Sequence, residues 1–498
     1  MGSVGAGRWD LVFPSGAPDR VGDMFATAVI ADAVRRYDAD LAQWVETCRD
    51  WSRQYRSVFR GMTALAASAP EASVGIAGEG LRATRDLLRF VTGYTVEPLR
   101  GVEIASVAAA DGLDTGTARG AGKTARRLEV PFRGAVLAEE ALQRKLTDWR
   151  QRGIVEPGFA AAVERVIDHP EWLALPGFRV VIAGAGELTP LRPLLRWGAD
   201  VLAVARPGPA RWRELVAEAE TGAGVLRYPL IDGEPGADIT TQFPALVHWI
   251  REHLGSEIFP VFGGYVTRRG PGGVRLAAAL DLLTADLLAA RPDTALAGTG
   301  SPTDCYAVPE SVFAQAHSCL RDRGARGLGQ DVLRVLTRSA LYQPNYQSMV
   351  ADTAGASWSV ADALMSFQGP NHALAQRILR WRALSARAAG HPVSYTVAPP
   401  TWTRGVLAHS SSAAAFRGAH RFGVEIFESE TARTLLAAKL VADLNDPSPA
   451  DPNPEALFAA GAAHGGLWRL PFEPRSLLPV AIVTGHLRGL LRSNERDH

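Results

Sequence analysis

One short stretch in the middle of the chain places the strongest constraint on its fold. An apolar run at residues 178–183 enters a turn that contains Gly184 and Gly186, and residues 190–197 then have the composition of a helix. A second apolar run follows at residues 200–205. This order predicts a strand–turn–helix–strand unit, whose glycine turn leaves backbone amides open to a phosphate or an adenosine group.

The glycine turn predicts a set of ligand-binding residues. Gly184 suits the tight turn itself, and Gly186 lacks the Cβ that would block the approach of a ligand. Glu187 and Leu188 complete the turn, while Thr189 replaces the third glycine of the usual dinucleotide-binding fingerprint. The first four of these residues are our candidates for cofactor contacts.

Composition limits the classes of partner. The net charge is +1, which provides no broad electrostatic attraction to nucleic acid or to an anionic membrane. No apolar run reaches the ~18 residues expected of a membrane-spanning helix. Three cysteines without metal-ligand spacing or a disulfide framework favour a reducing compartment. We therefore expect a cytoplasmic protein that acts on a small-molecule substrate without nucleic-acid or membrane partners, and a homo-oligomer is compatible with the sequence.

The chain divides into three predicted regions. Residues 1–170 form a mostly helical N-terminal region, in which the glycine-rich stretch 112–122 is predicted as a loop. Short apolar runs then alternate with helices over residues 171–445, which predicts an α/β fold with a doubly wound parallel sheet and an insertion around 305–365. A proline-rich connector opens a helical C-terminal extension at 446–498.

The segment from about residue 175 to 425 resembles the short-chain dehydrogenase/reductase superfamily. The resemblance rests on the strand–glycine turn–helix–strand start and on a fifth strand that ends at Ser301. It also rests on a helix at 371–389 that leads into a sixth strand at 392–398. It implies a Rossmann-like fold that binds NAD(P), with oxidoreductase activity.

The same resemblance implies roles for single residues. Ser301 stands where the family keeps a catalytic serine, and Pro399 and Thr401 follow the sixth strand where the family contacts the nicotinamide. The family also uses a tyrosine as proton donor and a lysine four residues later. The corresponding positions here hold His372 and Gln376.

The missing tyrosine–lysine pair leaves several candidate proton donors. No lysine occurs between Lys145 and Lys439, so no other alignment within the sheet restores the pair. His372 is one replacement, because the unperturbed pKa of histidine, about 6.5, suits acid–base catalysis. Tyr306 and Tyr346 are further candidates, although a packed aromatic with a satisfied hydroxyl explains Tyr306 as well. The alternative is that carbonyl reduction has been lost.

The residue after the second strand indicates which nucleotide binds. NAD-binding proteins normally carry an acidic residue there, whereas this chain has Ala205 followed by Arg206. A guanidinium pairs well with the 2′-phosphate of NADP, so we expect NADP rather than NAD. The alternative is that Arg206 is a solvated loop residue of an arginine-rich protein.

These features predict an NADP-dependent oxidoreductase with a non-standard active site, acting on an apolar carbonyl or enoyl substrate. One alternative is a non-redox enzyme on a dehydrogenase-like fold, such as a cyclase, isomerase or dehydratase. Another is an S-adenosylmethionine-dependent methyltransferase, which shares the strand–turn–helix start but usually has an acid after the second strand. The last alternative is a sensor or scaffold protein that binds a dinucleotide without catalysing a reaction.

Overall fold

The structure is a computed structural model with an α/β architecture. It describes residues 9–14, 21–92, 95–101, 112–265, 270–365 and 367–494 of the chain. Among these residues, no helix combines the length and the apolar composition that a membrane span needs.

Helices and short strands precede the glycine turn. The helices are α1 (Val21–Val34), α2 (Ala39–Glu46), α3 (Trp51–Ser68), α4 (Pro70–Leu87), α5 (Glu139–Gln151) and α6 (Pro157–Asp168). The strands are β1 (Trp9–Val12), β2 (Arg89–Thr92), β3 (Thr95–Pro98), β4 (Asp114–Arg119), β5 (Glu129–Phe132) and β6 (Ala135–Ala138). The first three strands form a small antiparallel sheet, and β5 pairs with β6.

The main sheet contains the predicted strand–turn–helix–strand unit. Apart from β4, its strands are β7 (Phe178–Ala183), β8 (Asp200–Val204), β9 (Val225–Ile231), β10 (Glu234–Pro235), β11 (Phe259–Gly264), β12 (Ala295–Gly300) and β16 (Val393–Val397). The helices between them are α7 (Leu191–Trp197), α8 (Pro209–Thr221), α9 (Phe243–Leu254), α10 (Pro271–Ala290) and α13 (Pro370–Ala388). The predicted order of elements over residues 178–205 is confirmed.

The central strands run parallel in the order β9-β8-β7-β11-β12-β16. Val181 of β7 lies between Leu202 of β8 and Phe262 of β11, which sets the register at the middle of the sheet. Beyond β9, the strands β4 and β10 pair with it antiparallel. The sheet is therefore mixed, with a parallel centre and an antiparallel edge.

The loop predicted for residues 112–122 is wrong, because β4 lies within this stretch. Gly116 pairs with Tyr228 of β9, and a Cβ on Gly116 would lie 2.2 Å from the Tyr228 ring. Trp249 of α9 donates a hydrogen bond to the Thr115 hydroxyl at 2.9 Å. The sequence of β4 has weak strand propensity, and these long-range contacts stabilise it as an edge strand.

The side chains of each central strand alternate between two hydrophobic cores. In β7, Val180 and Ile182 belong to the first core, whereas Val181 and Ala183 belong to the second. Helices α5 to α8 line the first core, and α1, α3, α4, α9, α10 and α13 line the second. Because helices cover both faces of the sheet, its strands read as continuous apolar runs in the sequence.

The insertion and the C-terminal part add smaller elements. They are β13 (Cys305–Pro309), α11 (Glu310–Arg321), α12 (Ala325–Leu336), β14 (Val350–Ala351), β15 (Ser357–Asp362), β17 (Thr401–Trp402), α14 (Arg404–Leu407), α15 (Ser410–Ala419), β18 (Phe427–Glu428), α16 (Ser429–Asn445), α17 (Ala456–Ala459) and α18 (Pro474–Asn494). Strand β15 pairs antiparallel with both β13 and β14, so the insertion carries a sheet of its own.

A buried charge cluster joins the N-terminal helices, the sheet and the C-terminal segment. The Arg380 side chain is only 1% exposed and lies 3.2 Å from Glu455 and 3.5 Å from Asp304. The Ser73 hydroxyl of α4 donates to Glu455 at 2.9 Å. The region boundaries predicted near 170 and 446 stay predictions, and these contacts link the three regions across them.

Candidate functional site

The glycine turn lies at the carboxyl ends of β7 and β8. Gly184 has a φ of +116°, and its amide donates to the Val204 carbonyl at 2.8 Å. A Cβ on Gly184 would lie 2.6 Å from the carbonyl oxygen of Tyr265, which follows β11. Both the backbone angle and this close approach require glycine at the first position of the turn.

Two adjoining cavities open over this turn. The first has a volume of about 290 Å³ and reaches from the turn to Asp238 and Tyr265. The second has a volume of about 810 Å³ and lies toward α8 and α16. They share the following residues: Ala185, Gly186, Glu187, Arg206, Arg211 and Arg404. We call this continuous space the turn cleft, and the larger of its two cavities is within the size range of ligand pockets, about 300–1,000 Å³.

Arginines dominate the lining of the turn cleft. The charged lining residues are Arg192, Arg206, Arg211, Arg404, Arg433, Glu187, Glu214 and Asp238. Glu187 is paired with Arg404 at 3.2 Å, and Glu214 with Arg192 at 3.3 Å. Within the described ranges, no carboxylate lies within ion-pair distance of Arg206 or Arg211. The cleft therefore offers positive charge to an anionic ligand.

Asp238 provides a carboxylate on the opposite wall of the first cavity. Its Oδ1 accepts hydrogen bonds from the Thr240 amide at 2.9 Å and from the Thr240 hydroxyl at 2.6 Å. This turn holds the carboxylate at the cleft, where it can accept a hydrogen bond from an amino group of a ligand. The sequence alone did not identify Asp238, Tyr265 and Arg404 as cleft residues. Of these three, only Asp238 had a local signal in the sequence, because an Asp-x-Thr pattern after the third parallel strand is typical of a turn.

Four of the predicted cofactor-binding residues line the turn cleft, namely Gly184, Gly186, Glu187 and Arg206. The other three are absent from the lining of its two cavities. Leu188 packs against the first core. Pro399 accepts a hydrogen bond from the Thr401 hydroxyl at 2.7 Å, and Thr401 pairs with Phe427 in the β17–β18 ladder.

The structure brings Ser301 and Tyr306 together at the end of β12. The Tyr306 hydroxyl donates to the Ser301 carbonyl at 2.9 Å, and the Ser301 hydroxyl lies 2.9 Å from that of Thr303. The Ser301 amide donates to the Gln376 side chain at 3.1 Å. Burial raises the pKa of the Tyr306 phenol well above its usual value, and the Arg380 guanidinium covers its ring at 4.3 Å. Tyr306 therefore packs as a buried aromatic with a satisfied hydroxyl.

The other two candidate proton donors lie in separate surroundings. His372 is half-buried in the first turn of α13, one helical turn before Gln376. Tyr346 is buried, and its hydroxyl donates to the Trp468 carbonyl at 2.6 Å. Burial also raises the pKa of Tyr346. Neither His372 nor Tyr346 is among the residues that line the turn cleft.

A buried histidine–carboxylate pair lies near the end of β16. His464 is completely buried, and its Nε2 lies 2.8 Å from Oε1 of Glu156. The Gly466 amide donates to Nδ1 of His464 at 3.1 Å, so the imidazole is neutral and carries its proton on Nε2. Arg469 donates to both oxygens of Glu156, at 2.7 and 2.6 Å. Burial lowers the pKa of His464 despite the neighbouring carboxylate.

The His464 pair predicts an acid-sensitive contribution to stability. In the unfolded chain the His464 imidazole takes up a proton near pH 6.5. In the folded protein it does so only at a lower pH, because burial lowers its pKa. The contribution of buried His464 to the free energy of unfolding is therefore complete above about pH 6.5, and it declines as the pH falls below that value. We expect His464→Gln to reduce the loss in melting temperature between pH 7.5 and 5.5. The exposed His420→Gln serves as control, and an unchanged pH profile in the His464 variant would contradict the prediction.

Across the described part of the chain, no group of three or more His, Cys, Asp or Glu side chains is placed to hold a metal ion. Comparison of the sequence with protein-family models and with curated proteins finds no match.

Proposed function

We propose that this protein is an NADP-dependent oxidoreductase with a non-standard active site, acting on an apolar carbonyl or enoyl substrate. The observation that carries the proposal is the open cleft over the glycine turn. It combines the bare backbone at Gly184 and Gly186 with the guanidinium groups of Arg206 and Arg211, which have no carboxylate partner in the described residues.

The strand order supports a Rossmann-like fold of the short-chain dehydrogenase/reductase type. Counted from β7, the parallel strands follow the order third, second, first, fourth, fifth, sixth, which is that of dinucleotide-binding sheets. In open α/β sheets, ligands bind outside the carboxyl ends of the strands where the strand order reverses. The turn cleft lies at this edge, between the end of β7 and the residue that follows β11.

Different residues of the turn cleft would bind the pyrophosphate, the 2′-phosphate and the adenine of NADP. The pyrophosphate would lie over Gly184 and Gly186, whose backbone lines the first cavity. Arg206 and Arg211 would pair with the 2′-phosphate, because guanidinium groups form charge-assisted hydrogen bonds with phosphate. Asp238 would accept a hydrogen bond from the adenine amino group. The helix dipole contributes little, since α7 begins only at Leu191.

The reaction needs a proton as well as a hydride. When bound, NADPH supplies the hydride. Ser301 lies at the carboxyl end of β12, and its amide is held by Gln376. His372 lies one turn earlier on the same face of α13 as Gln376, so it is our candidate for the residue that supplies the proton. Tyr306 does not suit this role, because its hydroxyl already donates to the Ser301 carbonyl.

A non-redox enzyme on the same fold is the second candidate function. The observation that favours it is the burial of Tyr306 and Tyr346, whose hydroxyl groups both donate to backbone carbonyls. Tight binding of NADPH without its oxidation by any carbonyl or enoyl substrate would support this second function. A methyltransferase fits less well, because S-adenosylmethionine carries a cationic sulfonium and no phosphate for Arg206 and Arg211 to bind.

Titration with NADPH, followed by nicotinamide fluorescence, tests the proposal. We expect the double substitution Arg206→Ala and Arg211→Ala to weaken NADPH binding by about 100-fold or more, since each lost charged hydrogen bond is worth ~1.5 kcal/mol or more and every 1.4 kcal/mol is tenfold. The dissociation constant for NADH should change by less than about threefold, because NADH lacks the 2′-phosphate.

Arg213→Ala is the matched control, since Arg213 is an exposed arginine of α8 that is absent from the cleft lining. Two results would contradict the proposal. One is the absence of NADPH binding at millimolar concentration. The other is an equal loss of NADPH and NADH affinity in the double variant.

A further inference from the structure

Helix α12 in the insertion has its apolar side turned to solvent. Leu328, Val332, Val335 and Leu336 follow the spacing of one helix face and are 74%, 58%, 72% and 74% exposed. Leu333 extends this face and is 43% exposed. Scattered exposed apolar residues are common, but a continuous apolar face on one helix marks an interaction site.

The polar side of α12 is the side that packs on the protein. Gly327 is buried, and Gln330 and Asp331 are half-buried against Arg323, at 3.3 and 3.2 Å. The Arg323 guanidinium also covers the ring of Phe472 at 5.3 Å, which ties α12 to the C-terminal segment. These contacts fix the orientation of the helix, so the apolar face cannot turn inward without breaking them.

Arginines are the predominant charged residues of the segment that carries this apolar face. Residues 321–338 include five arginines and two aspartates, which gives the segment a net charge of +3. Asp322 accepts a hydrogen bond from Ser318 at 2.9 Å, and Asp331 pairs with both Arg323 and Arg334, at 3.2 and 3.8 Å. Arg321 and Arg338, at the two ends of the segment, are exposed. The covering partner must therefore be apolar and negatively charged.

A second copy of the chain fits this face poorly. Pairing two copies would place two segments of charge +3 against each other. The helix has 12 residues and is thus about 18 Å long. One face of that length is short of the roughly 800 Å² per partner that stable interfaces bury.

We propose that the apolar face of α12 binds the surface of an anionic lipid bilayer. The aliphatic side chains would enter the boundary between headgroups and acyl chains, while the arginines contact the anionic headgroups. The whole-chain charge of +1 led us to expect no membrane partner, but that value averages over the charge of this single segment. The helix would lie on the membrane without crossing it.

Flotation of the full-length protein with vesicles tests this inference. One vesicle preparation contains only phosphatidylcholine, and the other contains about one third phosphatidylglycerol. We expect flotation with the anionic vesicles and little with the neutral ones. The triple variant L328Q/V332Q/L336Q should lose at least about tenfold in partitioning, because it removes the apolar face without changing charge. The variant R321Q/R338Q should weaken binding to anionic vesicles, and added salt should weaken it further.

V136Q is the matched control, since Val136 is 60% exposed on strand β6, outside α12, and should not affect flotation. Equal flotation with both vesicle types, or none with either, would overturn the inference. A dimer in solution that the triple variant dissociates, without vesicle binding by the original protein, would instead assign the face to a second copy. None of these outcomes depends on the binding of NADPH.

Discussion

Arg380→Met is expected to lower the free energy of unfolding by about 3–5 kcal/mol, the usual effect of removing one partner from a buried charge pair. Arg380 lies between Asp304 and Glu455, and it donates to the Cys305 carbonyl at 2.6 Å. Methionine fills a similar volume but leaves the Glu455 carboxylate buried without its cation, while Asp304 keeps only Arg377 at 3.9 Å. Thermal and urea denaturation measure the loss.

Arg387→Met on the same helix is the control, because Arg387 is partly exposed and, among the described residues, donates only to the Ser448 carbonyl. We expect its effect to stay below about 1 kcal/mol. A double variant that combines Arg380→Met with Glu455→Gln should recover part of the stability, since Asp304 still lies 3.9 Å from the buried Arg377 and Glu455 no longer carries a charge. Equal stability of Arg380→Met and Arg387→Met would show that the cluster contributes little.

Gly184→Ala is expected to reduce NADPH binding by at least about tenfold and to cost about 1–3 kcal/mol of stability. The φ of +116° is strained for any residue with a side chain, and the new Cβ would lie 2.6 Å from the Tyr265 carbonyl oxygen. The turn must shift to relieve this overlap, and the shift changes the floor of the turn cleft. Fluorescence titration and thermal denaturation report the two effects separately.

Gly177→Ala separates backbone strain from damage to the cleft. Gly177 precedes β7 with a φ of +82°, and its added Cβ would have no atom within 4 Å. This variant should lose stability through strain alone and should bind NADPH normally. Normal binding by Gly184→Ala as well would show that the glycine turn does not contact the nucleotide.

Local sequence patterns predicted the centre of the fold well. The apolar run that became β7 is long enough for a strand and ends at Gly184, which no other residue can replace without strain. The strands β12 and β16 also lie where a fifth strand ending at Ser301 and a sixth strand at 392–398 were predicted. Half of the candidate site was predicted in the same way, because the glycine turn and Arg206 are adjacent to strands whose ends are visible in the sequence.

The other half of the candidate site depends on residues far apart in the chain. Asp238, Tyr265 and Arg404 reach the turn cleft only because β7, β8 and β11 are neighbours in the sheet and Arg404 of α14 pairs with Glu187. Tyr306 could not be assigned from its sequence context, since its role depends on the cover provided by Arg380 from another helix.

The sequence by itself determined the alternation of strands and helices and the position of the glycine turn, because these follow from the spacing of apolar residues and from one backbone angle. The tertiary structure decided the pairing of β4 with β9, the burial of Arg380 and the outward apolar face of α12. Each of these depends on contacts between distant segments, and the spacing of residues within one segment carries no information about such contacts.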